Sequence, residues 1–186
     1  MAERVCPWWL GYVLASPVRR WISENPEQLL ASYVKTGMTV LEPGPGMGFF
    51  TIPLARMVGN AGRVVAVDIQ PKMLAALDRR ARRAGLNHRI KTRLAQPESM
   101  GLGDLNGAVD FVLAFAVVHE MPSAERFFQE AAAVLKPGAL LLFAEPAGHV
   151  TPEKLELELD AAKSAGLEVV DRPAVRRSRA IVLRKI

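Results

Sequence analysis

The chain has 186 residues, half of them hydrophobic and 23% charged, with a formal net charge of +5; this excludes a disordered chain and suits one domain with a sizeable core. A single cysteine excludes an internal disulfide, fits a reducing, cytoplasmic setting, and leaves no Cys or His cluster at metal-ligand spacing. No apolar run reaches the ~18 residues of a membrane span, and the arginines are spread over several segments, which argues for a solvated surface over a nucleic-acid partner.

Residues 5–15 are apolar after Arg4, but Glu3, Pro7 and Gly11 favour a helix packed on the domain over a signal peptide. A helix over 7–22 offers Trp8, Trp9, Tyr12, Val13 and Leu14, with Pro17 kinking or restarting it. Asn25-Pro26-Glu27 combines an N-cap, a first-position proline and a first-turn acid, so a second helix runs to about Lys35 and stops at Gly37. Residues 1–36 thus form an N-terminal helical cap, which covers the sheet or closes as a lid with Trp8 and Trp9 as its apolar wall. Cys6 reads as a buried apolar side chain.

Strand one spans 38–43, and its helix runs over about 48–58. After the turn at Gly59–Gly62, Arg63 to Asp68 is nearly continuous in Val and Ala, as a strand buried on both faces requires. A helix over 71–84 starts at Pro71 and stops at Gly85. Residues 89–95 make a weaker third strand, and Val109 to Ala114 a fourth. Ser123 caps a helix to Leu135, Lys136-Pro137-Gly138 turns the chain, and strand five spans Ala139 to Glu145. Thr151-Pro152 opens a last helix that ends at Gly166, followed by strands 167–171 and 179–184. Strands and helices alternate, which predicts a parallel α/β sheet with right-handed crossovers. The last two strands are joined by too few residues, around Pro173, for a helical crossover, so the final strand should run antiparallel.

Residues 38–51 organise the rest. Strand one ends in Glu42, and Gly44, Gly46 and Gly48 then form a tight turn before a helix, where backbone N–H groups can approach a ligand closely. The turn lacks the lysine of a phosphate-binding P-loop, and Phe49 stands where a dinucleotide loop needs its third glycine. A carboxylate before the turn repels a pyrophosphate and attracts a sulfonium or amine. Asp68 ends the neighbouring strand, where an acid commonly accepts both hydroxyls of a ribose.

These residues resemble the class I S-adenosylmethionine (SAM)-dependent methyltransferases, of the type 11/25-like methyltransferase-domain kind. The resemblance covers about 36–145 and rests on Val40 to Gly48, Val64 to Asp68, Asp110-Phe111-Val112-Leu113, and Leu135-Lys136-Pro137-Gly138. It implies a Rossmann-like doubly wound sheet of seven strands, mostly parallel with the last antiparallel, plus the N-terminal helices. The single domain then divides into the cap (1–36), a SAM-binding core (37–145) and a C-terminal helix with two strands (146–186). By the same resemblance, Glu42 and the backbone of Gly44 and Gly46 hold the methionine end, with Pro45 and Gly48 in the same loop. Asp68 binds the ribose hydroxyls and Ile69 lies against the adenine. The family often has Gly-Asp-Ala after strand three; here the run is Ala95-Gln96-Pro97, and the Gln96 side chain would take over the adenine contact. Phe115, just after strand four, completes the cofactor residues.

A sulfonium is already an activated methyl donor, so a general base is needed only where the acceptor must lose a proton. His119, with Glu120, follows strand four on the side where the family's acceptors sit, and is the candidate base. Ala114 to Val118 replaces the Asn/Asp-Pro-Pro-Tyr run of the base- and amide-nitrogen methylating members, and Cys6 alone cannot supply the cysteines of the arsenite-methylating ones. Arg79, Arg80, Arg82 and Arg83, opposite the inward Leu74, Leu77, Ala81 and Ala84, read as a solvated face; a nucleic-acid footprint would carry interleaved aromatics. The expected activity is methyl transfer from SAM to a small-molecule acceptor. A non-catalytic SAM-binding protein, or an RNA or protein methyltransferase using the basic surface, is the alternative.

Overall fold

Apolar runs without polar alternation are satisfied in strands covered on both faces, and here they make the centre of one sheet. The computed structural model describes residues 25–186; the expected helix over 7–22, with Cys6, Trp8 and Trp9, lies outside the described residues. The elements in order are α1 (Pro26–Leu30), β1 (Thr39–Pro43), α2 (Thr51–Met57), β2 (Arg63–Asp68), α3 (Pro71–Arg83), β3 (Ile90–Leu94), β4 (Val109–Phe115), α4 (Ala124–Val134), β5 (Leu135–Pro146), α5 (Pro152–Ser164), β6 (Leu167–Asp171), β7 (Ala174–Val175) and β8 (Ser178–Lys185). The sheet has eight strands in the order β3-β2-β1-β4-β5-β8-β6, with β7 paired to β8 off that path.

Strands β1 to β5 pair in parallel. The inner strand β2 is buried from Val64 to Val67, whereas its neighbour β3, at the edge, is only half covered, which explains its weaker pattern. Strand β8 lies antiparallel between β5 and β6, as the short final connection required. That connection also holds β7, a two-residue strand forming a hairpin with β8, which is too short to leave any periodic signal.

The strands alternate their side chains between two apolar layers. Leu41, Val65, Val112, Leu141 and Phe143 meet Phe128 of α4 and Leu159 of α5 on one face. Val40, Val64, Phe111, Leu113 and Leu142 meet Leu30 of α1 and Leu54 of α2 on the other. Helices on both faces of a mostly parallel sheet make the expected Rossmann-like architecture.

Three boundaries depart from the sequence reading. Helix α1 is capped by Asn25, whose side chain accepts from Glu27 N at 3.1 Å, but it ends at Leu30 because Tyr33 leaves the helix to stack on Phe111 at 5.8 Å. Helix α2 starts only at Thr51: Gly44, Gly46 and Gly48 all take positive φ, and that backbone cannot be helical. Lys136–Gly138 do not precede β5 but bulge within it, since Val109 pairs with Leu135 and Phe111 with Leu140. Helix α3 buries Leu74, Leu77 and Ala81 as expected, while Ala84 is an exposed C-cap.

Candidate active site

In a parallel sheet the carboxyl ends of the strands line one edge, and ligands bind there. Three strands end in acids at that edge: β1 in Glu42, β2 in Asp68, and β5 in Glu145 beside Pro146. They border a cleft of about 570 Å³ lined by Glu42, Gly44, Pro45, Gly46, Asp68, Ile69, Gln96, Phe115 and His119, together with Phe49, Phe50, Met121 and His149. The structure therefore brings together every site residue expected from the sequence except Gly48. Gly48 is buried under the loop, and a Cβ there would meet Leu77 Cδ1 at 2.5 Å.

The glycine loop is tied at both ends: Gly44 N donates to Val67 O at 2.9 Å, and Gly48 N to Pro45 O at 2.9 Å. Among the described residues, a Cβ on Gly46 would meet no atom within 4 Å, so this backbone faces open space there. Glu42 beneath it is 3% exposed, and neither Glu42 Oε2 nor Thr51 Oγ1 has a partner in hydrogen-bonding geometry among the described residues. Burial pushes the Glu42 carboxyl up to about 8; the nearby Thr51 hydroxyl tempers the rise and the Asp68 charge adds to it. A buried acid with an orphaned oxygen lacks a donor or a cation, and a ligand bearing an ammonium or sulfonium supplies one.

Asp68 Oδ1 accepts from Gln70 N at 2.8 Å. Burial pushes Asp68 up to about 6, against hydrogen bonds from the Gln70, Gly46 and Ile69 backbone, with the Glu120 charge adding to the rise. Ile69 stays 41% exposed, an apolar side chain left open on the cleft wall. Phe115 is half-buried and packs on Phe50 at 4.6 Å. Gln96 is exposed, its backbone fixed by a bridge to Ser99. Orphaned Glu42, the open Gly46 backbone, the ribose-type acid and an apolar slot together fit SAM.

On the same cleft, β4 ends in a turn that carries His119 on a single 3-10 turn, Val118–Glu120. Its ring pairs through Nδ1 with Glu145 Oε2. Glu145 is fully buried, and its Oε1 accepts from Val118 N at 2.9 Å. A carboxylate only accepts, so the proton sits on Nδ1, and Nε2, 3.9 Å from Glu120 Oε1, is left as the basic atom. Burial opposes the charged ring, but the Glu145 hydrogen bond and the Glu145 and Glu120 charges outweigh it, raising the His119 pKa above its usual value despite Lys154. His149 stands edge-on to His119 at 5.6 Å. Behind the pair, Glu158 of α5 is buried with Lys154 at 3.9 Å; burial and then the Glu145 charge push it up to about 7, eased by Lys154 and His119.

Sequence reasoning missed Glu145, although it ends its strand as Glu42 and Asp68 end theirs. It also took Arg80 for a surface residue. Arg80 is half-buried and donates to the Met47 carbonyl of the glycine loop. Among the described residues, no group of three His, Cys, Asp or Glu side chains could hold a metal, and no helix is long and apolar enough to cross a membrane.

Comparison with known proteins adds four findings. Residues 41–143 match the methyltransferase domain family. The ribosomal protein L11 methyltransferase of Pelotomaculum thermopropionicum is 33% identical over 145 residues, which is 78% of this chain and 43% of that protein. The demethylmenaquinone methyltransferase of Lactobacillus johnsonii is 34% identical over 104 residues, 56% of this chain and 42% of that protein. The chain thus spans less than half the length of these curated relatives. A SAM dependent methyltransferase from Aquifex aeolicus shares the fold with a TM-score of 0.86 at 26% identity, over 98% of this chain and 100% of that one.

Proposed function

The chain belongs to the methyltransferase domain family, whose cofactor is SAM, and on that premise we propose that it methylates a small-molecule acceptor that gives up a proton. The observation that carries this reading is the His119–Glu145 pair on the cleft that also holds Glu42 and Asp68. A protein that only bound SAM would have no use for a histidine oriented by a buried carboxylate. The apolar walls, Phe49, Phe50, Phe115 and Met121, favour a small acceptor over a nucleic acid. Of the two curated relatives, one is named for a quinone and the other for a ribosomal protein; the apolar lining sides with the first. The single cysteine supports action in the reducing cytoplasm.

Bound SAM supplies an activated methyl group on a cationic sulfur. Glu42 supplies the charge that complements a cation, and Asp68 accepts from the ribose hydroxyls. The glycine loop presents its backbone, with Ile69 and Phe115 as apolar walls and Gln96 at the rim. His119 Nε2 takes the proton from the acceptor atom, and Glu145 stabilises the imidazolium that forms.

The test is formation of S-adenosylhomocysteine from SAM with an ultrafiltered low-molecular-weight extract, set against the retained macromolecular fraction. Turnover should follow the small-molecule fraction and fall about 100-fold or more in His119→Ala. Turnover with the macromolecular fraction alone overturns the acceptor class, and full activity in His119→Ala removes the base.

A further inference from the structure

The glycine loop is built on a backbone that glycine adopts most readily. Three positive-φ glycines within five residues, Gly44, Gly46 and Gly48, give its peptides a freedom that other residues lack. The peptide joining Met47 to Gly48 has two faces, and only one of them points the Gly48 N–H at the Pro45 carbonyl, 2.9 Å away. Something outside the loop must choose that face.

Helix α3 makes the choice. Met47, 3% exposed, packs with Met73 and Ala76 of that helix. One turn on, Leu77 fills the space where a Cβ on Gly48 would lie, at 2.5 Å. At the next turn Arg80 donates from Nη1 to the Met47 carbonyl oxygen. Its neighbours Arg79, Arg82 and Arg83 are exposed, whereas Arg80 is half-buried and burial lowers its pKa. A guanidinium gives up hydration only where fixed acceptors replace it.

We propose that Arg80 is a positioning residue of the cofactor site, acting through the Met47 carbonyl to hold the glycine loop in the form that receives the methionine end of SAM. The proposal rests on the reading above that this loop holds the methionine end. Arg80 bonds the Met47 carbonyl and does not line the cleft that Asp68 and Ile69 border, so its effect should divide the cofactor chemically. A ligand with the amino acid end should feel its loss, and one without that end should not.

Isothermal calorimetry with S-adenosylhomocysteine and with 5′-methylthioadenosine, which lacks the amino acid end, reads this division. Arg80→Met should weaken S-adenosylhomocysteine about tenfold and leave 5′-methylthioadenosine within about twofold of the wild type. Arg80→Lys, which keeps a cationic donor, should recover part of the loss and covers the case in which Arg80→Met does not fold. Unchanged S-adenosylhomocysteine binding in Arg80→Met, an equal loss for both ligands, or no recovery in Arg80→Lys overturns the proposal. Glu42→Gln separates the premise: if it too leaves the preference for S-adenosylhomocysteine intact, the loop does not hold the methionine end and both readings fall. If Glu42→Gln removes that preference and Arg80→Met does not, Arg80 alone is wrong.

Discussion

Cofactor binding should release a proton from Glu42. The free carboxyl sits at about 8, so about nine in ten molecules carry the proton at pH 7. An ammonium or sulfonium beside the orphaned Oε2 stabilises the carboxylate and drives that proton off. The expected release is about 0.9 proton per S-adenosylhomocysteine bound at pH 7, with affinity gaining close to tenfold per pH unit below 8 and levelling above it. Calorimetry in two buffers of different ionisation enthalpy counts the protons directly. Glu42→Gln should abolish the release and flatten the slope, and the difference between the two proteins removes any titration of the ligand's own amino group. Free protein moves the opposite way. Glu42 holds its proton more tightly folded than unfolded, so its contribution to stability is complete below about 4.5 and declines until pH passes about 8. Glu42→Gln, which is neutral throughout, should therefore melt higher than the wild type at pH 9 while binding cofactor worse. Equal proton counts in wild type and Glu42→Gln would refute the assignment of Glu42 to the cationic end.

Asp68→Ala removes an acceptor of two charge-assisted hydrogen bonds and should weaken S-adenosylhomocysteine about 10- to 100-fold by calorimetry; in Glu42→Gln the remaining affinity loss on acidification should centre near the Asp68 value of about 6. His119 works as a base in its neutral form, so kcat/KM should rise with pH through a midpoint above 6.5, and Glu145→Gln should move that midpoint down, as measured in a pH–rate profile. Gly46→Ala meets no atom of the described residues but adopts φ +53, so urea denaturation should show a loss of only about 1–2 kcal/mol, while cofactor binding should collapse because the methyl enters the cleft. Gly44→Ala, at φ +65 with Val117 Cγ2 at 2.5 Å, should lose more stability than Gly46→Ala in the same titration. Wild-type cofactor affinity in Gly46→Ala would place the ligand elsewhere.

The convergence of Glu42, the glycine turn and Asp68 on one cleft was legible because their placement is written locally. Glu42, Gly44 and Gly46 follow one another in sequence, Asp68 ends the next strand, and parallel pairing of β1 with β2 brings the two acids to one edge without further information. The antiparallel β8 was legible for an equally local reason, the shortness of its connection. Glu145 was hidden because its partner is 26 residues away, and nothing in the run Phe143-Ala144-Glu145 says that β5 lies beside β4. Arg80 was hidden by its neighbours: among the arginines at 79, 80, 82 and 83 the helical period puts it nearest the buried Met73–Leu77 face, but the run of charge masks that signal. Helix α1 ended early because Tyr33 found Phe111, a tertiary contact that outweighs helix propensity.

The two halves of the site are not independent, and Gly44 shows why. After β4 the chain keeps its ladder for one more bond, Ala116 N to Ala144 O at 2.7 Å, and then turns at Ala116 with φ 55. That conformation is costly for a residue with a Cβ, and the surroundings must hold it. The turn drops Val117 into the space that a side chain at residue 44 would occupy. The next residue, Val118, donates its N–H to Glu145, and the one after is His119. The absent side chain of Gly44 therefore does two jobs. It leaves the loop backbone open to the cleft, and it seats the turn that carries His119. A larger residue there would push on Val117 and, through the Val118 N–H, on the Glu145 carboxylate that orients His119. The glycine loop and the turn that carries His119 are packed as one unit, so the placement of the loop backbone and that of the His119 ring are set by the same contact.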